Sequence, residues 1–195
     1  MPRTSRLTRD DWAAAALDAL AAGGVAAVAV EPVAARLGAA KSSFYWLFAD
    51  RQALLEAALK RWERTQTEQV VDRLASIPDP ADRLRYLLRH AFTATSGADL
   101  ALRLLAEPDN PAVRDVAARV TERRLAVLTD LFASTGLAPD EARHRALGGY
   151  AAYLGTAALR QVSAIPGDPT AYIDTLITLY LPPAGAPEAA HRLER

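Results

Sequence analysis

VEPVAARLGAAKSSFYWLF, residues 30–48, sets a small Ala34 four positions before Gly38 and ten before Phe44. Two helices that cross steeply through a tight turn need this spacing. Ala34 lets the second helix approach, Gly38 supplies the left-handed residue of the turn, and Phe44 packs back under the first helix. The pattern is that of a helix-turn-helix, although an ordinary αα-hairpin would satisfy the same three positions.

Helical phase separates the side chains of the second helix, read over 40–48. With Phe44 at the centre of the buried face, a 3.6-residue period brings Ala40, Leu47 and Phe48 beside it. Ser42 and Trp46 then point away, Tyr45 lies on the flank, and Ser43 and Lys41 complete the outward face. Two adjacent outward aromatics on a helix that already has its core contacts form a partner surface. Duplex DNA fits it: hydroxyls reach bases or phosphates, a ring meets a thymine methyl, and Lys41 pairs with phosphate. The alternative is that Trp46 packs on the long helix that follows.

Outward from this motif, helix punctuation recurs to both ends and alternating strand patterns are nearly absent, so the chain reads as all-α. Asp79-Pro80, Asn110-Pro111 and Asp168-Pro169 each place a capping side chain before a first-turn proline. Nine helices are expected, over 8–22, 30–37, 40–48, 51–76, 80–96, 99–106, 111–134, 139–164 and 169–181. Short helices fill the first 50 residues, implying an N-terminal helix-turn-helix domain at 1–50. A larger ligand-binding and dimerisation bundle is read at 51–181, followed by a Pro/Ala-rich tail at 182–195.

The stretch AAVAVEPVAARLGAAKSSFYWLFADRQALLEAAL, residues 26–59, resembles the DNA-binding domain of the TetR family of transcriptional regulators. The hallmark is a helix-turn-helix followed by an aromatic pair, a Phe, a basic residue and a Leu-rich start to the next helix; the likeness covers residues 8 to about 60. It implies that the third helix enters the major groove, with Lys41, Ser42, Ser43, Tyr45 and Trp46 facing DNA. It also implies that Arg51 reaches backbone phosphate at the head of the fourth helix. Ala29 and Ala40 depart from the pattern by removing side-chain caps worth about 1 kcal/mol each. Leu47 stands where a histidine is frequent, and Ser42 where a glycine is.

Charge bears on affinity. The chain carries 23 basic and 23 acidic residues, so no global field draws a polyanion. Arg3, Arg6 and Arg9 precede the first acid and form either a phosphate-following arm or a solvated tail. With these included, residues 1–50 balance at five basic against five acidic, so affinity requires two copies of the domain on one double-stranded operator, with half-sites about 34 Å or a multiple apart. The absence of cysteine excludes thiol catalysis and thiolate metal sites. No apolar run marks a signal peptide or membrane span, so a cytoplasmic protein without membrane attachment is expected, and neither cofactor nor metal is called for.

A homodimer needs a surface. In the helix over 139–164, Leu147, Tyr150, Ala151 and Leu154 form one apolar stripe, and Gly148, Ala152, Gly155 and Leu159 another. The last helix adds Tyr172, Ile173, Leu176, Ile177 and Tyr180. The resemblance implies that these two helices pair with their symmetry mates; the alternative is that both stripes are internal to one bundle. Polar interruptions of apolar lines point to a small-molecule pocket: Trp62, Gln66 and Gln69, Tyr86 and His90, Arg124, and Tyr150. The resemblance implies an inducer there. The expected function is a homodimeric repressor released from its operator by a small molecule. An all-α enzyme is the rival, on the E-x-x-H spacing of Glu141 and His144, for which no partner pair is read. A protein-binding adaptor would leave the outward aromatics unexplained.

Overall fold

The structure is a computed structural model that describes residues 7–93, 95–162 and 169–181. Among these residues every regular element is helical. Helix α1 spans Arg9–Ala27 and opens on a capping box: the Thr8 hydroxyl accepts from the Asp11 amide at 3.2 Å and the Asp11 carboxylate from the Thr8 amide at 2.7 Å. It runs past the expected end at 22 through a kink at Gly23 and Gly24. Gly24 has φ +70°, so its conformation favours glycine, and a Cβ there would also lie 2.7 Å from Glu107 Oε1, the mobile end of that side chain.

Helices α2 (Val30–Arg36) and α3 (Lys41–Tyr45) follow, joined through Gly38 at φ +60°, as the turn requires. Ala29 and Ala40 give no side-chain cap, as expected. Ala40, expected beside Phe44 on the buried face, is exposed. Its backbone is extended as the residue preceding the helix, so helical phase does not apply to it.

Helix α4 (Arg51–Glu63) is capped by Asp50, whose carboxylate accepts from Ala53 N at 2.8 Å. A single helix was expected over 51–76. Instead, a π-helical segment, Arg64–Glu68, intervenes before α5 (Gln69–Ala75). The remaining helices are α6 (Pro80–Thr93), α7 (Thr95–Leu105), α8 (Pro111–Ser134), α9 (Pro139–Gln161) and α10 (Pro169–Tyr180). Asp79 and Asn110 cap α6 and α8 through side-chain bonds of 2.9 and 3.2 Å; Asp168 lies outside the described residues.

The chain forms two compact units, residues 1–72 with 96–124 and residues 73–95 with 125–195. The first is built on Trp12, Leu20, Phe44, Leu54 and Leu59, all fully buried. Here the helix-turn-helix and α4 share one core, so packing does not divide at residue 50. The second unit buries Leu84, Phe92, Phe132 and Ala157, with α10 and α9 against α6. No described helix is long and apolar enough to cross a membrane.

Candidate functional site

Helix α3 is short and divided by side. Phe44 is fully buried, its ring 5.5 Å from Trp12 and stacked at 5.4 Å on Phe48. Burying these rings stabilises the unit by about 2 kcal/mol apiece. Tyr45 is 59% exposed and Trp46 81%, with Ser42 exposed between them and Lys41. Trp46 therefore does not pack on α4. Leu47, expected inward, is only half-buried, since α3 ends at Tyr45 and the chain turns there. Ser43 is half-buried and its hydroxyl donates to Ala40 O at 2.6 Å. That bond ties the serine to its own helix start.

Among the described residues, the cations around this face each have a partner. Lys41 Nζ lies 2.6 Å from Glu31 Oε1, and each group stabilises the other's charge: hydrogen bonding to Lys41 lowers the Glu31 pKa and Glu31 raises that of Lys41. Arg9 donates to Leu47 O at 2.7 Å and lies 4.4 Å from the Phe48 ring centroid, closing the end of α3. Arg36 approaches Asp18 at 3.8 Å. Arg51, expected at phosphate, directs Nε to Val28 O at 2.6 Å and Nη2 to Val25 O at 2.5 Å. Those carbonyls lie at the end of α1 just past its glycine kink; Val25 O already accepts from Val28 N at 3.2 Å and takes the arginine on its second lone pair. Arg3 and Arg6 lie outside the described residues.

Farther along the same unit, the π-helical segment gathers polar groups. Trp62 is buried with the Arg124 guanidinium carbon 5.4 Å from its ring centroid. Arg124 donates through Nη2 to Gln66 O at 3.0 Å and through Nε to Thr67 Oγ1 at 3.1 Å. Trp62, Gln66 and Arg124, expected at a ligand site, thus come together, while Gln69 is exposed. The buried polar side chain of this turn is Thr67, at 3% exposure. A π-turn adds a residue per turn and shifts the following side chains out of α-helical phase, so periodicity pointed to Gln69 in place of Thr67.

Ion pairs flank this cluster. Asp10 receives Arg61 at 2.5 Å and Arg64 at 3.0 Å, in that order of strength, and its pKa falls below the ordinary aspartate value. Glu63 receives Arg119 through two bonds of 2.7 Å, which lower its pKa against the opposing effect of burial. Glu68 faces Arg123 at 3.3 and 3.4 Å.

In the second unit Tyr86 stacks on His90 at 5.9 Å with both rings half-exposed, and buried Tyr150 stacks on Tyr153 at 5.9 Å. Phe92 meets Tyr153 and Tyr172 edge-on at 6.3 Å, and the Tyr172 hydroxyl is 2.9 Å from Thr156 Oγ1. Phe92, Tyr153 and Thr156 were not singled out from sequence, and Tyr172 was read only as apolar surface of the last helix. Long-range ring contacts leave no mark in a single helix's pattern.

The expected partner surface needs correction. Ile173, Leu176 and Ile177 are buried inside their own unit. Tyr180 is half-buried against Phe132 at 6.4 Å and against the Gly148 backbone. Gly148 and Ala152 are partly covered, and only Gly155 and Leu159 of the expected set are exposed. The outward line of α9 is Leu147, Ala151, Gly155, Ala158 and Val162, joined by Leu159 and, on α10, Leu179. Sequence divided α9 a few tens of degrees off this line, because small residues occupy both faces. Glu141 gives its carboxylate to Arg145 at 2.8 Å. A second E-x-x-H spacing, Glu188 with His191, is present in the sequence and lies outside the described residues.

Residues 13–58 match the family model of bacterial regulatory proteins, tetR family. Several solved structures share the fold. A Clostridium perfringens protein named as a fatty acid metabolism regulator is 14% identical, with 88% of this chain and 96% of that chain covered at a TM-score of 0.71. A Saccharomonospora viridis transcriptional regulator solved with choline is 17% identical, covering 88% and 92% at 0.70. FadR from Bacillus subtilis, solved with stearoyl-CoA, is 17% identical, covering 87% and 96% at 0.64. At these identities the likeness is one of fold. No curated protein matches the sequence.

Proposed function

From its membership of the TetR family of bacterial regulatory proteins, carried by residues 13–58, we propose that this chain is a repressor that binds a pseudo-palindromic operator as a homodimer and is released by a small molecule. The observation that carries the DNA-binding reading is the division of α3. Phe44 is at 0% exposure, while Tyr45 and Trp46, its neighbours, are at 59% and 81%. An α-helix held by one buried ring presents its other side to a groove. Ser42, Tyr45 and Trp46 read base edges, Ser43 and Lys41 reach the backbone, and Arg51 offers its remaining Nη1 to phosphate. Arg3 and Arg6 add positive charge ahead of α1.

The homodimer uses the outward line of α9 with Leu179 of α10. Small residues at Ala151, Gly155 and Ala158 let two such helices approach closely, and the larger residues at either end supply apolar area. Small-molecule control is supported by the choline and stearoyl-CoA complexes of two proteins with this fold. Within the first unit, Trp62, Gln66 and Arg124 are the groups that would contact such a molecule: a ring, a half-buried amide and a cation. The chain acts in the cytoplasm, where its operator lies.

Titration of the protein against a duplex from its own promoter and a scrambled duplex, at several salt concentrations, tests this reading. The promoter duplex is expected to bind more tightly, and both affinities to fall linearly in log–log form as salt rises. Equal affinity for the two duplexes, or no loss with salt, would overturn it.

A further inference from the structure

Between residues 7 and 51 the chain has four cations, and each is committed to a partner within the fold. Arg9 and Arg51 bond backbone carbonyls that end helices, so withdrawing either exposes a helix terminus. Arg36 stands at the last turn of α2, opposite Asp18. Lys41 alone belongs to α3, and its partner Glu31 is a carboxylate in the first turn of α2. Both side chains are exposed, at 53% and 76%. Phosphate can therefore replace carboxylate at the ammonium without any change in the core.

We infer that Glu31 is an intramolecular competitor of phosphate at Lys41, restraining the sequence-independent part of DNA affinity. A phosphate approaching Nζ also approaches the Glu31 carboxylate, 2.6 Å away, and must displace it or bear its repulsion. A lysine already neutralised by a carboxylate adds little to the release of counterions that drives non-specific binding. The helix-turn-helix thereby presents fewer effective charges to arbitrary DNA than its cation count implies. Operator selection is left to the outward side chains of α3. This inference rests on the DNA-binding reading above and concerns a residue that reading does not use.

The test is a titration of the full chain with a labelled random-sequence duplex of about 30 base pairs, room for two half-sites, at several sodium chloride concentrations. Wild type, Glu31→Gln, Lys41→Gln and the double variant are compared. Glu31→Gln is expected to tighten binding about two- to fivefold at low salt, the range an exposed ion pair covers. That figure is per bound domain, and the slope against log salt should steepen by about 0.9 for each domain on the duplex, about 1.8 for a bound dimer. In the Lys41→Gln background the gain from Glu31→Gln should shrink. An unchanged affinity in Glu31→Gln, or a gain no smaller without Lys41, would overturn the competition. Absence of any salt-sensitive binding by folded wild type would instead overturn the DNA-binding reading. Thermal unfolding of all four proteins confirms that each is folded, since neither side chain contributes to the core.

Discussion

The outward faces of α3 and α9 both leave large apolar side chains in water, yet their chemistry differs. On α3 a lysine and two serines lead to two adjacent aromatics, the second of them the C-cap of a five-residue helix. On α9 the exposed line is aliphatic and small, and it extends through most of a 23-residue helix. The first suits a polar, ridged partner whose bases are read one at a time. The second suits another helix, since Gly155 and the alanines bring backbones together over a long seam. Exposure alone does not distinguish these uses; the spacing of polar groups among the apolar ones does.

The comparison breaks first if the division of α3 is false. Phe44→Ala should cost about 3–5 kcal/mol in denaturant unfolding, the range for emptying a core phenylalanine site. For α9, a Cβ at exposed Gly155 would meet nothing within 4 Å in its own subunit, so the Gly155→Arg protomer should remain folded. Dimerisation should weaken by about 2 kcal/mol or more, read by sedimentation across a concentration series. A variant that stays fully dimeric would remove that seam as the interface. Trp46→Ala should cost about 1–3 kcal/mol of operator affinity and under about 0.5 kcal/mol of stability. The two readouts would exchange magnitudes if Trp46 were core.

Smaller effects sharpen the contrast from the interior. Thr67→Val should lose about 1–2 kcal/mol in urea unfolding, because Arg124 Nε loses a buried acceptor. Valine there matches the threonine in shape, so packing is nearly conserved. The smallest effect is acid sensitivity. Asp10 and Glu63 have lowered pKa values in the folded state, so their stabilisation is complete above the ordinary carboxylate range and is lost as pH falls through the lowered values. Asp10→Asn should flatten the fall of the unfolding midpoint below about pH 4.

Much of this was legible in the residues. Ala34, Gly38 and Phe44 gave the turn, and Asp79 and Asn110 gave helix starts, because each acts through local geometry that sequence encodes directly. Trp46 was separable from Phe44 because α3 holds ideal phase across two residues. Phase failed where the helix was not ideal or where both faces were alike. The π-turn at 64–68 exchanged Gln69 for Thr67, and the alanine-rich α9 blurred which stripe faced out. Ile173, Leu176 and Ile177 look the same on paper whether a partner subunit or their own unit covers them. That Arg51 also holds the carbonyls of Val25 and Val28 through Nη2 and Nε was not legible, because the helix end they form follows from a glycine kink, which no charge pattern announces.

The distribution of the three tryptophans gives the chain an unlabelled optical assay. Trp12 and Trp62 are at 0% and 1% exposure, so their emission should be blue-shifted and shielded from iodide, whereas Trp46, at 81%, should emit to the red and quench readily. A duplex lying on α3 would protect Trp46 alone. A molecule displacing the Arg124 guanidinium from its position 5.4 Å from the Trp62 ring would change the buried signal instead. Operator and inducer would thus be followed in one cuvette, each through its own indole.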